Sequence, residues 1–212
     1  MAGGEVTPAG AGDRERVAAA LTAAFMDDPV TEWAAPRERH RATVIRHFFR
    51  CYFDFHQGEG AVYVDPERHG AAVWALPGNW KTTALQDLKI SRAFAHPRHW
   101  PRAAAVANGL LGLERKHPPR PPHFYLASLG VEPERQGQGL GSRLLQPILE
   151  ICESDGVPAY LESSKESNIA FYARHGFRVT GELKLSRRGP TMWAMWRQPR
   201  AGAPVLPPLH LG

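Results

Sequence analysis

Apolar residues recur at helical spacing from Asp13 to Met26, where Val17, Ala20, Leu21, Ala24 and Phe25 fall on one side. Asp13 stands where an N-cap is expected. Asp27-Asp28-Pro29 ends this helix, because proline disfavours helical backbone in the residue before it. A second amphipathic pattern predicts a helix from Pro36 to Phe55, with Val44, Ile45, Phe48, Phe49 and Tyr52 inward. Beyond Gly58-Glu59-Gly60 the period shortens to that of strands, Ala61–Val64 and Ala71–Leu76, separated by the turn-forming stretch Asp65–Gly70. Trp80–Ala95 and Pro101–Arg115 read as helices broken at His96-Pro97, and periodicity is weakest here.

The second half is more regular. A strand, Phe124–Val131, leads into the glycine loop Gln136–Gly141 and then a helix whose inner face is Leu140, Leu144, Leu145, Ile148 and Cys152. Pro147 interrupts the hydrogen-bond ladder of that helix. The strand Ala159–Ser163 follows, then a short helix Glu166–His175 stopped by Gly176, with Ser163-Ser164-Lys165-Glu166 as its capping box. Two strands near Phe177–Leu185 and Thr191–Arg197 close the pattern. Residues 1–12 are expected to be disordered, residues 13–198 to form one domain, and residues 199–212 to be a flexible tail.

Composition narrows the function classes. The chain has 212 residues with a formal charge of +5, which suits an anionic ligand but gives no basic stripe for nucleic acid. No apolar run is long enough for a membrane span. Cys51 and Cys152 are too few for a disulfide framework, so a reducing cytoplasm is the expected setting. His40 with His47, and His96 with His99, lack a carboxylate at metal-site spacing, so no metal is expected.

Gln136-Gly137-Gln138-Gly139-Leu140-Gly141 follows a strand and opens a helix. Glycines let backbone N–H groups converge on an anion, and the helix start adds partial positive charge, so a diphosphate is the natural guest. A Walker A loop would need Gly-Lys-Ser/Thr, and a dinucleotide fingerprint would need G-x-G-x-x-G; neither is present. In the next helix, Asn168, Phe171 and Tyr172 share one turn ahead of Gly176-Phe177. Taken alone, Tyr172 would be read as a half-buried core tyrosine.

The loop matches the Gln/Arg-x-x-Gly-x-Gly/Ala signature of the GNAT acetyltransferases. Phe124–Val131, Gln136–Ser142, Gly156–Ser164 and Asn168–Phe177 are similar to the puromycin N-acetyltransferase branch of that superfamily. The resemblance is dense from Phe124 to Arg197 and fades between Gly78 and Pro118. It implies an α/β fold with a mixed, strongly twisted sheet of about six or seven strands, in which the fourth and fifth strands splay apart. It also implies acetyl-CoA as co-substrate, with Leu129, Gly130 and Val131 along pantetheine and Gln136, Gly137, Gln138, Gly139, Leu140, Gly141 and Ser142 around the diphosphate. Asn168 and Phe171 would contact the same molecule, the Val131 N–H would face the oxyanion, and Tyr172 would protonate the departing thiolate. Glu162 is a candidate base for the amine, or a surface carboxylate beside the serines. Ser128 either orients a water or satisfies a core hydrogen bond. Trp33, Tyr52, Trp74 and Trp80 are candidates for an aromatic acceptor site, although packing accounts for most tryptophans.

The expected acceptor is a small-molecule amine, such as an antibiotic, nucleoside or amino-acid-like metabolite. The alternatives are a protein N-terminus or lysine, and a non-catalytic acyl-CoA-binding regulator of the same fold. Monomer and homodimer are both open.

Overall fold

The computed structural model describes residues 4–94, 100–187 and 189–200. Along the chain the elements are β1 (Thr7–Pro8), α1 (Arg14–Ala24), α2 (Pro29–Ala34), α3 (Glu38–His56), β2 (Val62–Val64), β3 (Gly70–Ala75), α4 (Ala84–Ser91), α5 (Trp100–Lys116), β4 (Phe124–Val131), α6 (Leu140–Asp155), β5 (Ala159–Ser163), α7 (Ile169–Arg174), β6 (Arg178–Lys184) and β7 (Thr191–Arg197). The strands form one sheet in the order β1-β2-β3-β4-β5-β7-β6. Neighbours are antiparallel except β4 and β5, which are parallel.

Strand β3 is buried along its whole length. Ala72 and Trp74 enter one core, Ala71 and Val73 another, because successive side chains of a strand point to opposite faces. Such a strand needs cover on both sides. On one face α1 and α3 supply Val17, Leu21, Ile45, Phe49 and Phe53. On the other, α6 supplies Leu140, Leu144, Leu145, Ile148, Leu149 and Cys152, the spacing of a single helix face. A third cluster, built on Tyr160, Leu183, Met192 and Trp196, seats Trp33 and Leu113.

The strands Phe124–Val131, Ala159–Ser163 and Thr191–Arg197 run as predicted, and Pro147 lies inside α6. Other details differ. The start of the chain is not wholly unstructured: Thr7–Pro8 pairs with β2, and Ala11–Asp13 forms a 3-10 turn. Asp13 does not cap α1; its carboxylate accepts from the Gly10 N–H and from Arg68. The stretch Trp80–Ala95 is helical only from Ala84, where Thr83 and Gln86 form a capping box, and 92–94 is a 3-10 turn. Ser163 does not build the box ahead of α7; its hydroxyl donates to the Lys165 carbonyl, and Glu166–Asn168 is a 3-10 turn. Helix α2 escaped the pattern because it is six residues long. The predicted tail from 201 onward, and His96 and His99, lie outside the described residues. Among the described residues no helix is long and apolar enough to cross a membrane.

Candidate active site

The parallel pair β4/β5 is registered only from Phe124 opposite Ala159 to Leu126 opposite Leu161. Beyond that point β5 pairs with β7 and β4 with β3, so the two strands part. The register between β3 and β4 skips Ala127, going from Leu126 opposite Trp74 to Ser128 opposite Val73. A bulge of this kind turns a strand and re-aims its backbone groups. Past it, the Glu132 N–H donates to His69 on the β3 side. By strand alternation the N–H groups of Leu129 and Val131 therefore face the opening toward β5. Gly130 cannot carry a side chain, because a Cβ would lie 2.8 Å from Leu21 and 2.9 Å from Ala24 of α1.

The opening is a cleft of about 530 Å³ that runs from the splayed strands to the glycine loop. Gly137 and Gly139 have φ of +73° and +78°, and Gly139 is the residue ahead of α6. Both conformations favour glycine. Gly141 packs on the Phe171 ring, where a Cβ would come within 3.3 Å. The Gln136 side chain donates to the Val131 carbonyl and ties the loop to the end of β4. The Gln138 side chain bonds back to the Glu134 carbonyl, and among the loop residues it is absent from the cleft lining, as the side chain turns away. Leu140 touches the cleft but has its side chain in the core. The first N–H groups of α6 have no intrahelical acceptor, and Arg135, Lys165 and Arg174 also line the cleft. An open strand edge, a glycine loop at a helix start and nearby cations fit an extended, amide-bearing chain that ends in phosphates. Arg135 and Arg174 were not anticipated, since charge alone does not single out two arginines among many.

Tyr172 on α7 lines the cleft and is 8% exposed. Burial, with the nearby Asp28 carboxylate, raises its pKa far above the ordinary tyrosine range, so it keeps its proton. Asn168 caps nothing with its side chain and lines the cleft. Asp28 was expected only to stop α1. It caps α2, accepting from the Val30 and Thr31 N–H groups, and its other oxygen accepts from Ser164. The Asp28 carboxyl is pushed up by burial, its hydrogen bonds opposing.

Glu162 is no surface carboxylate: its side chain is 4% exposed. It lines the cleft and also two further cavities of about 250 and 200 Å³ beneath α3, α4 and α5. Tyr52 and Trp80 line this second space, together with Phe48, Leu110, His117 and Tyr125. Burial and then Glu162 push Tyr52 up to about 12, and Tyr125 and Tyr160 are raised for the same two reasons. The expectation for Trp33 and Trp74 is corrected. Trp74 is fully buried in the core, and Trp33 packs against Gly109 of α5, where a Cβ would lie 3.1 Å from its ring. Neither lines these cavities. The Ser128 hydroxyl donates to the Ala127 carbonyl at the bulge. His117 and His123, buried beside Glu162, were also missed, because their six-residue spacing in a proline-rich stretch follows no pattern. Among the described residues no group of three or more His, Cys, Asp or Glu is placed to hold a metal.

Residues 18–177 match the Acetyltransferase (GNAT) family. The chain belongs to that family. Acetyl-CoA is the co-substrate of GNAT enzymes, and the cleft has the parts that molecule requires. An uncharacterized N-acetyltransferase of Schizosaccharomyces pombe is 29% identical over 186 residues, covering 82% of this chain and 74% of that one. The N-alpha-acetyltransferase RimI of Mycobacterium tuberculosis is 28% identical over 80 residues, 38% of this chain and 51% of that one. The fold is shared with a crystal structure titled histone acetyltransferase HPA2 and related acetyltransferase from Corynebacterium glutamicum. That likeness has a TM-score of 0.65 at 22% identity and covers 96% of this chain and 99% of the other.

Proposed function

We propose that this GNAT enzyme transfers the acetyl group of acetyl-CoA directly to the primary amine of a small molecule with an apolar or aromatic body. The observation that carries this reading is the position of Glu162, a residue that lines both the cleft and the space under α3, α4 and α5. A molecule in that space would bring its amine to the carboxylate and to the thioester end of the cleft at once. Phe48, Tyr52, Trp80, Leu110 and Tyr125 would hold its body. Helices α4 and α5 flank the space with Ile90, Val106 and Leu110, an apolar lining that suits a small hydrophobic guest.

In this reading Leu129 to Val131 lie along pantetheine, with the Val131 N–H facing the oxyanion. The amides of Gln136 to Ser142, with Arg135 and Arg174, hold the diphosphate, and Asn168 and Phe171 contact the same ligand. Glu162 takes the proton of the amine, and Tyr172 protonates the thiolate. Most of the rate gain comes from holding two substrates in line. The resemblance to puromycin N-acetyltransferase makes puromycin the first acceptor to try.

The test is thiol release from acetyl-CoA against a panel of aromatic and aliphatic amines, puromycin included, beside N-terminal and lysine peptides. Turnover with small amines is expected. Turnover confined to peptides would replace this reading with protein acetylation, and acetyl-CoA binding without thiol release would replace it with a regulator.

A further inference from the structure

Glu162 and His117 face one another with an unbalanced set of lone pairs. His123 Nδ1 lies 2.8 Å from the Pro121 carbonyl oxygen. A carbonyl only accepts, so Nδ1 carries the His123 proton. Burial holds His123 down to about 4, and near neutral pH its Nε2 is therefore a bare acceptor. That atom is 2.9 Å from Nε2 of His117, which must donate to it. In its neutral form His117 then has no proton for Nδ1, and Nδ1 is 3.6 Å from Oε1 of Glu162. In that form two acceptors face one another across 3.6 Å with no donor between them, a spacing suited to a third group that donates to both.

The surroundings select that group. The two side chains are 3% and 4% exposed, and both border the acceptor space. Trp80 stacks on His117 with ring centroids 3.7 Å apart, and Tyr125 and Tyr160 press their rings edge-on against it. The guest must have at least two N–H or O–H donors, favour a negative neighbour and tolerate aromatic walls, which describes an alkylammonium head. We propose that His117 Nδ1 and Glu162 Oε1 form a two-point receptor for the acceptor's ammonium group and hold between them the proton it gives up before attack. His123 is a positioning residue that fixes the His117 tautomer. The inference rests on the small-amine reading and adds its recognition step.

The protons balance. The ammonium gives one proton to the pair and exposes the nitrogen lone pair. The N–C bond forms at the thioester carbonyl carbon as the C–S bond breaks. The second proton lost by nitrogen replaces the one that Tyr172 gives to the departing thiolate. One proton stays on the pair and passes to water when the amide leaves. The other titratable groups around the pair are Tyr52 of α3, Asp87 of α4, Glu114 of α5 with its partner Lys81, Tyr125 of β4 and Tyr160 of β5.

Long-range ¹H–¹⁵N NMR of the imidazoles in the full wild-type chain tests the proton positions without turnover. At neutral pH His123 is expected to be protonated on Nδ1 alone and His117 on Nε2 alone. Phenylethylamine, used as the probe, should shift His117 Nδ1 in the wild type and not in Glu162→Gln. A His117 proton on Nδ1 instead would overturn the proposal. His117→Phe keeps a ring against Trp80, and should lower kcat/KM for the amine by about 10²-fold. It should also raise KM for the amine while leaving KM for acetyl-CoA unchanged, because only the acceptor loses a contact. A fall in which both KM values rise together would mean a structural role. Failure of every amine to release thiol sinks the acceptor reading and this one together, whereas turnover with the reversed tautomer sinks the pair alone.

Discussion

Tyr172 sits where burial and the Asp28 carboxylate both disfavour a phenolate, so its hydroxyl remains a donor through neutral pH. Tyr172→Phe keeps the ring and its edge contacts with Phe171 and Phe177. It is expected to lower turnover by about 10²- to 10⁴-fold while acetyl-CoA affinity, measured by calorimetry, hardly changes. A matching loss of affinity would mark the residue as structural. Tyr172 stood out in the sequence because it lies at a fixed offset from Asn168 and Gly176, which flank one short helix. Asp28 was not. Its chemistry depends on Ser164, which lies 136 residues further along the chain, and the local sequence shows only a carboxylate ahead of a proline.

At the scale of elements, the glycine loop was legible because its demands are local. Gly139 needs φ of +78°, and no atom lies within 4 Å of where its Cβ would stand. Crowding is therefore not what favours glycine there; the left-handed backbone conformation is. Gly139→Glu is expected to weaken acetyl-CoA binding by more than about 10²-fold, the equivalent of roughly 3 kcal/mol. Gly139→Asn, which tolerates left-handed backbone, should lose much less. Equal affinity for both variants and the wild type would refute the phosphate assignment. The bulge at Ala127 was not legible. Nothing in Phe124–Val131 interrupts the strand pattern, and the skipped residue emerges only when β3 is laid beside it. Helices α4 and α5 were indistinct for a related reason. Leu85, Leu88, Leu110 and Leu111 remain exposed, so these helices lack the clean apolar face that makes a period easy to read.

For the molecule as a whole, two buried histidines set the first response to acid. Burial lowers His56 and holds His123 down to about 4, against an ordinary value of 6.5. Between those limits the unfolded chain binds more protons than the folded one, so stability is lost as pH falls below the ordinary value. For His123 the loss is about 2 kcal/mol by about pH 5. The raised Asp28 works in the opposite sense, because its protonation favours the fold as pH falls. Carboxylates held low by arginines and lysines, such as Asp13 and Asp27, lose their contribution only in stronger acid. Urea unfolding at about pH 7.5 and about pH 5 should show this fall, and His123→Phe should flatten it. An equal fall in that variant would assign the acid sensitivity elsewhere.

Sequence alone marked out most of the residues found around the cleft between β4 and β5. The strand before the loop, the loop glycines, the inner face of α6 and the spacing of Asn168, Phe171 and Tyr172 all lie within about one supersecondary unit, where neighbours in sequence are neighbours in space. The surroundings of Glu162 emerged only when distant segments packed together. Glu162, Asp28, Tyr52, Trp80, His117 and His123 come from β5, the start of α2, α3, the approach to α4, and the segment joining α5 to β4. Their burial and their contacts follow from how these segments meet and from the parting of β4 from β5. These properties belong to the packing of distant segments, which no local pattern encodes.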